Sequence, residues 1–281
     1  MKILQVPDGM KRKALKIADD LGDVLIDCES CFGACDLAIQ EAKVLGCDKI
    51  VHYGHSKIID TDIPVDYVEL RQDYDPLPIL KKHSINERRI GLVSTLQFLD
   101  SLEKARKYLE EKGKIVNIGK GKFNQGQILG CDVSAAKAIE EDVDAFLYIG
   151  SGNFHPLGLA MQTEKPVYFL DVEKGEITVV DKEKFLKQRY VAVALAKDAN
   201  RFGILVSVKP GQMNLELAKK IKKKLEEKGK KAYILVFNEI KPEKLIGLDL
   251  DCYINTACPR IAVDNRNEYR KPILNPDETL F

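Results

Sequence analysis

The sequence predicts an α/β fold of three Rossmann-like parallel-sheet domains of similar topology, arranged with pseudo-threefold symmetry around a central point. Three observations carry this expectation. Short buried apolar runs alternate with helix-like stretches along the whole chain, the pattern of parallel βαβ units. The stretch Gly33-Ala34-Cys35-Asp36 returns, one small residue shorter, as Gly130-Cys131-Asp132, an offset of 96 residues that also carries Ala42 onto Ala138, Asp48 onto Asp144 and Gly54 onto Gly150. Finally, Leu109-Glu110-Glu111-Lys112-Gly113-Lys114 recurs residue for residue as Leu225-Glu226-Glu227-Lys228-Gly229-Lys230. The domains implied are residues 1–87, 88–195 and 196–281.

In order, the chain opens with a strand over residues 3–6, a Pro7-Asp8-Gly9 turn, and a helix over residues 11–21 whose apolar side carries Ala14, Leu15, Ile17, Ala18 and Leu21 and which Gly22 ends. A strand over 24–26, the loop from Cys28 to Cys35, a helix over 37–45 and strands over 50–53 and 65–70 complete the first unit. The second unit repeats the order: strand 90–93, helix 101–112, strand 114–118, a glycine-rich loop over 119–130 leading to Cys131, helix 134–141, strand 146–149 and a closing strand over 165–170. A helical connector over 181–201 delivers the chain to a third, shorter unit with strands at 202–206 and 233–237. Its later strand, Cys252-Tyr253-Ile254-Asn255, ends just before Cys258, at the place occupied by His55 and Ser151 in the other units, and Lys271-Pro272-Ile273-Leu274 closes it.

Composition narrows the class. The 44 Lys and Arg residues balance 43 Asp and Glu, giving a formal charge of +1, so the chain has no electrostatic footprint for nucleic acid. The first residues read as a strand without the apolar core of a signal peptide, and no 18-residue apolar run exists, so a cytoplasmic protein with no membrane partner is expected. Seven cysteines without an export signal argue against a disulfide framework and for thiols that are buried, metal-binding or catalytic.

Ligands of parallel α/β units sit beyond the carboxyl ends of the strands, and Cys35, Cys131 and Cys258 all fall there. If three such domains face their strand ends inward, the three thiols converge. Three thiolates suit a 4Fe-4S cluster that keeps one iron free for substrate. The plain alternative, cysteine as a buried residue at strand and helix ends, holds for any one of them taken alone; the repeat favours the ligand reading.

Several motifs together resemble one family: Gln5-Val6-Pro7-Asp8-Gly9-Met10-Lys11, Cys31-Phe32-Gly33-Ala34-Cys35-Asp36, Gly54-His55-Ser56, Gly126-Gln127-Ile128-Leu129-Gly130-Cys131, Gly152-Asn153-Phe154-His155-Pro156-Leu157-Gly158 and Ala257-Cys258-Pro259-Arg260. In their order and spacing they are similar to the archaeal diphthamide synthase family, the 2-(3-amino-3-carboxypropyl)histidine synthases, over nearly the whole chain. The resemblance implies one cysteine per domain, Cys35, Cys131 and Cys258, on a central 4Fe-4S cluster whose open iron does the chemistry with S-adenosylmethionine as cosubstrate. It further implies reductive Cγ–S cleavage to methylthioadenosine, transfer of the 3-amino-3-carboxypropyl group to C2 of a histidine imidazole on archaeal translation elongation factor 2, an electron donor and a homodimer. The usual Cys-x3-Cys-x2-Cys run of radical S-adenosylmethionine enzymes is absent, as in the family; Cys28-x2-Cys31-x3-Cys35 is its reverse.

Candidate cofactor-binding residues are His55, Gly126, Ser151, His155, Gln212 and Arg260. The two histidines and Ser151 end strands at the expected cluster face, against the alternative of histidines satisfied by nearby backbone. Gly126 and the Gly119-Lys120-Gly121 stretch allow close backbone approach or simply make a strand-to-helix loop. Arg260 either holds a carboxylate through its fork or pairs with Asp264, and Gln212 lies in the loop after the third unit's first strand. Cys47 and Cys252 read as core residues. Cys28 and Cys31 read as loop neighbours of Cys35, with a redox dithiol or half a zinc site as rivals; the expectation is that no second Cys-x2-Cys or histidine pair exists to complete a zinc tetrahedron. The lysine-rich stretch 219–231 reads as the wet face of a helix, with a docking surface for the elongation factor as the lesser reading. Two other functions remain open at this level: a quinolinate-synthase-like hydro-lyase, which also takes one cysteine from each of three domains, and a noncatalytic partner subunit holding a structural cluster or zinc.

Overall fold

The computed structural model describes residues 1–263 and 268–279. The first stretch runs β1 (Lys2–Gln5), α1 (Lys11–Leu21), β2 (Val24–Ile26), α2 (Ile39–Val44), β3 (Lys49–Tyr53) and β4 (Val65–Val68). Next come α3 (Leu77–Leu80), β5 (Arg89–Ser94), α4 (Leu99–Glu111), β6 (Ile115–Asn117), α5 (Ser134–Lys137), β7 (Ala145–Gly150), α6 (Phe154–Ala160), β8 (Val167–Asp171) and β9 (Glu176–Val179). The last stretch holds α7 (Lys182–Ala196), β10 (Arg201–Ser207), α8 (Leu215–Glu227), β11 (Lys231–Phe237), β12 (Cys252–Asn255), α9 (Arg260–Val263) and β13 (Ile273–Leu274).

These strands form three sheets, ordered β2-β1-β3-β4, β6-β5-β7-β8-β9 and β11-β10-β12-β13. Each is therefore the same permutation, second strand, first, third, fourth, and all of those pairings are parallel. The expected threefold recurrence is thus a recurrence of topology. One strand departs from it: β9 adds antiparallel to β8 across the turn containing Gly175.

Both faces of each sheet are covered, which is why the strands read as unbroken apolar runs rather than alternating ones. On the second sheet, Ile90, Leu92, Leu147 and Ile149 pack with Leu99, Leu102, Ala105 and Leu109 of α4 on one side. Their strand neighbours Val93, Phe146 and Tyr148 pack with Ala135 and Ala136 of α5 and Leu159 and Ala160 of α6 on the other. The third sheet repeats the scheme with Ile204, Val206 and Ile254 against Ala218, Ile221 and Leu225 of α8. The exposed side of α8 carries the lysine run, joined to glutamates by the pairs Lys219–Glu216 and Lys222–Glu226, so the wet-face reading holds.

The chain divides into two compact units. One comprises Met1–Ala34 and Ala38–Lys182, with the first two sheets; the other comprises Glu183–Phe281 together with Cys35–Leu37. The segment expected as a connector is the helix α7, which packs within the second unit through Ala192, Val193 and Ala196. Its Arg189 is buried and donates to the carbonyls of Ala262 (2.7 Å) and Ile273 (2.9 Å) and to the Glu278 carboxylate. Among the described residues, no helix is long and apolar enough to cross a membrane.

Candidate metal centre

Every candidate site residue lies beyond the carboxyl end of a parallel strand. Cys35 follows β2, His55 follows β3, Gly126 and Cys131 follow β6, Ser151 and His155 follow β7, Gln212 follows β10, and Cys258 and Arg260 follow β12. Because β2 and β6 hold the same place in their sheets, Cys35 and Cys131 are positional equivalents, whereas Cys258 comes from the loop after a third strand.

Each thiol has its own scaffold. In the second unit, the Gly211 N–H donates to the Cys35 carbonyl at 2.8 Å, and Gln212 Nε2 donates to Cys35 Sγ at 3.5 Å. A Cβ on Gly211 would stand 2.5 Å from Cys35 Cα, so only glycine permits this approach. Next in sequence, Asp36 accepts from Lys209 Nζ at 2.5 Å, the two side chains being 9% and 8% exposed. Burial pushes the Cys35 thiol above its ordinary pKa, with the Gln212 hydrogen bond opposing that rise.

Cys131 is exposed, in the tight turn closed by reciprocal backbone bonds between Leu129 and Asp132. Gly130 and Gly158 set this turn against α6: a Cβ on Gly158 would lie 2.6 Å from the Gly130 carbonyl oxygen, and one on Gly130 would meet the Phe154 ring. Asp132, the repeat partner of Asp36, also holds a lysine, Lys122, at 2.8 Å. Buried Asn255 fixes the Cys258 loop, donating through Nδ2 to the Cys258 carbonyl (2.9 Å) and accepting from the Ala257 N–H (3.1 Å). Cys47 and Cys252 sit in cores, as expected, and burial pushes the Cys252 thiol up to about 12.

The remaining candidates have mixed surroundings. His155 stacks on Tyr148, with ring centroids 6.2 Å apart. Gly126 adopts φ 75°, and its carbonyl accepts the Ser94 N–H, tying the glycine-rich loop to the end of β5. Gly119 and Gly121 pack on Ala135 and Ser134 at the start of α5, which gives these two glycines a packing role. Ser151 is partly buried, and Arg260 opens α9 exposed; Asp264, its suggested partner, lies outside the described residues.

One group escaped the sequence reading. Cys31, His52 and His55 come together within the first unit, one ligand atom of each lying within 4.8 Å of the others and His52 Nε2 lying 2.9 Å from His55 Nδ1, so a histidine pair does exist beside Cys31. His52 was hidden inside the apolar run of β3; the signal was the His-x2-His spacing at that strand's carboxyl end. Burial holds both imidazoles neutral, down to about 3 for His52 and about 4 for His55.

Fold and site define a class: a three-sheet α/β protein with at least one partly or fully accessible reduced cysteine beyond the strand ends of each sheet, a donor set suited to an iron–sulfur centre. The chain belongs to the diphthamide synthesis protein family, whose model matches residues 6–281. It is 36% identical to the 2-(3-amino-3-carboxypropyl)histidine synthase of Pyrococcus horikoshii, over 98% of this chain and 83% of the relative. Similarity extends to the synthase of Methanocaldococcus jannaschii, at 28% over 98% of this chain and 82% of the relative. The crystal structure of Dph2 from Pyrococcus horikoshii with a 4Fe-4S cluster superposes with a TM-score of 0.91 at 36% identity, covering 99% of this chain and 84% of that one.

Proposed function

We propose that this chain is a 2-(3-amino-3-carboxypropyl)histidine synthase acting in the first step of diphthamide biosynthesis. In this reading Cys35, Cys131 and Cys258 hold a 4Fe-4S cluster, and the 3-amino-3-carboxypropyl group of S-adenosylmethionine is transferred to C2 of a histidine imidazole on archaeal translation elongation factor 2. The observation that carries it is the pairing of near-full-length similarity to a named synthase with thiols in the equivalent loops after β2 and β6 and in the loop after β12. The donor set fits: none of the three cysteines is in a disulfide, and all three lie outside the apolar cores.

When bound, such a cluster supplies the electron for reductive Cγ–S cleavage and one iron without a protein ligand. The chain's residues orient and hold. Gln212 offers a hydrogen bond to the sulfur of Cys35, which stabilises its thiolate. The Lys209–Asp36 pair and the Gly211 contact fix the Cys35 backbone, Gly130 against Gly158 fixes Cys131, and Asn255 fixes Cys258. His155, Ser151 and Arg260 are the candidates for S-adenosylmethionine. A homodimer fed by an external electron donor completes the reading.

The relatives' names support the synthase over a hydro-lyase or a noncatalytic subunit. Anaerobic incubation of the cluster-loaded protein with S-adenosylmethionine and dithionite is expected to release methylthioadenosine, and with the elongation factor to add the group to one histidine. An intact cluster that yields no methylthioadenosine refutes the proposal.

A further inference from the structure

The strand order of the first sheet places its topological switch point between β1 and β3, and there Gln5 and His52 stand directly paired across the strands. Around them lies a polar chain unusual for the end of a buried sheet. Gln5 Nε2 donates to Asp27 Oδ2 (3.2 Å), while Gln5 Oε1 accepts from the Ala38 N–H (3.3 Å) and meets His52 Nδ1 at 2.9 Å. Turning the amide over would lose both the Asp27 and the Ala38 bonds, so Oε1 faces His52 and Nδ1 of His52 carries the proton. His52 Nε2 is therefore a lone pair. It points at His55 Nδ1, 2.9 Å away, and Cys31 Sγ completes the group, one ligand atom of each of the three residues lying within 4.8 Å of the others.

We propose that Cys31 Sγ, His52 Nε2 and His55 Nδ1 form a second metal site, a three-ligand zinc site with a fourth position open to water or an exogenous ligand. One thiolate and two imidazoles are a borderline-soft donor set of the kind zinc takes in sites that keep an open position. A tetrahedral zinc places two imidazole nitrogens ~3.3 Å apart, so the histidines need to separate by only a few tenths of an ångström. The proton balance is simple. The Cys31 thiol releases its proton to solvent as the Zn–S bond forms, and the proton that His55 Nδ1 donates to His52 Nε2 in the metal-free chain moves to His55 Nε2, freeing both nitrogens for the metal. Asp27 and Gln5 are then the outer partners that fix the His52 tautomer, the arrangement characteristic of protein metal sites.

The group is not a by-product of the repeated scaffold. At the 96-residue offset that carries Cys35 onto Cys131, Cys31, His52 and His55 fall on Gln127, Tyr148 and Ser151, which offer no comparable donor set. Every ligand and outer partner lies in the first unit, so the site does not depend on the cluster reading.

The test uses the full chain carrying its iron–sulfur cluster, titrated anaerobically with cobalt(II) as the optical probe and then with zinc. One cobalt per chain is expected, with a thiolate-to-metal charge-transfer band and intense visible bands of tetrahedral cobalt, displaced by one zinc. Cys31→Ser should abolish the sulfur band and His55→Asn should weaken binding at least tenfold, with near-ultraviolet circular dichroism confirming a folded chain. Gln5→Leu should weaken binding ~10–100-fold. Cys35→Ala should leave the cobalt spectrum intact even if the cluster is lost, which separates failure of this site from failure of the cluster assignment. No stoichiometric uptake, a sulfur band that survives Cys31→Ser, or one that vanishes in Cys35→Ala overturns the proposal.

Discussion

Replacing Lys209 by Met isolates the strongest electrostatic commitment beside Cys35. The Lys209 and Asp36 side chains are 8% and 9% exposed, so solvent screens little of their interaction and the 2.5 Å contact is charge-assisted. Removing the ammonium takes the opposite charge away from a buried carboxylate, a change that costs ~3–5 kcal/mol because the desolvation penalty stays while this ionic compensation is lost. That corresponds to between about two and four powers of ten in the unfolding equilibrium constant. Asp36→Asn should cost a similar amount by leaving the ammonium. The double variant Asp36→Asn/Lys209→Met removes both charges and should recover most of the loss, giving a coupling energy of about 3 kcal/mol or more. Urea unfolding of the four proteins, followed by far-ultraviolet circular dichroism, measures the cycle. A single-variant cost below about 1 kcal/mol, or a double variant equal to the sum of the singles, refutes the reasoning. Iron content after anaerobic reconstitution should fall in both single variants, since the same pair fixes the Cys35 backbone.

Gly158→Ala should destabilise the chain by ~1–3 kcal/mol, because its Cβ meets the Gly130 carbonyl and the turn must shift; thermal melts and iron content check it, and a variant with wild-type values of both removes the assigned role of that contact. Arg189→Met should cost ~3–5 kcal/mol by taking from Glu278 its opposite charge and from the Ala262 and Ile273 carbonyls their donors, read by denaturant unfolding, with Arg189→Lys recovering only part because a single nitrogen cannot reproduce the planar fork that reaches these acceptors. Single alanine variants of Cys35, Cys131 and Cys258 should lose or degrade the cluster, whereas Cys47→Ala and Cys252→Ala should retain iron near the wild-type level; a full cluster in Cys131→Ala breaks the assignment of one ligand to each repeat. In the cluster-free chain, a maleimide should label Cys28 and Cys131 first and Cys252 last, mass spectrometry giving the order.

Much of this molecule was legible because its strands are buried on both faces and its helices have one apolar side. The bounds of α1 and β2 match the expected ones, and the offset between Cys35 and Cys131 corresponds to equivalent loops in sheets of one topology. What escaped did so for local reasons. The helix α6 contains Pro156 and Gly158, residues that argue against a helix, yet the proline falls in its first turn and the glycine permits contact with Gly130. Strand β9 is short and half-exposed, carrying only Ile177 and Val179 as apolar signal. The Cys31, His52 and His55 group left only the His-x2-His spacing as a signal, masked because a histidine in an apolar run reads as part of the strand, and the pairing of Gln5 with His52 is what reveals which nitrogen is available. The supports around Cys35, Lys209 and Gly211, lie more than 170 residues downstream, beyond any pattern read along the chain.

That separation makes the second unit discontinuous, assembled from Cys35–Leu37 and a C-terminal stretch beginning at Glu183. During synthesis the first of these segments emerges early and waits for its partners through nearly two thirds of the chain. Joining Asp36 to Lys209 closes a loop of 173 residues, an entropic cost of ~4–5 kcal/mol that local contacts cannot repay in advance. The Cys35 thiol consequently reaches its final setting only once the C-terminal repeat has been made. Such a chain ties the setting of Cys35 to synthesis of the repeat that begins at Arg201: a product truncated before it would present Cys131 in its finished turn but leave Cys35 without the lysine, the glycine and the glutamine that hold it.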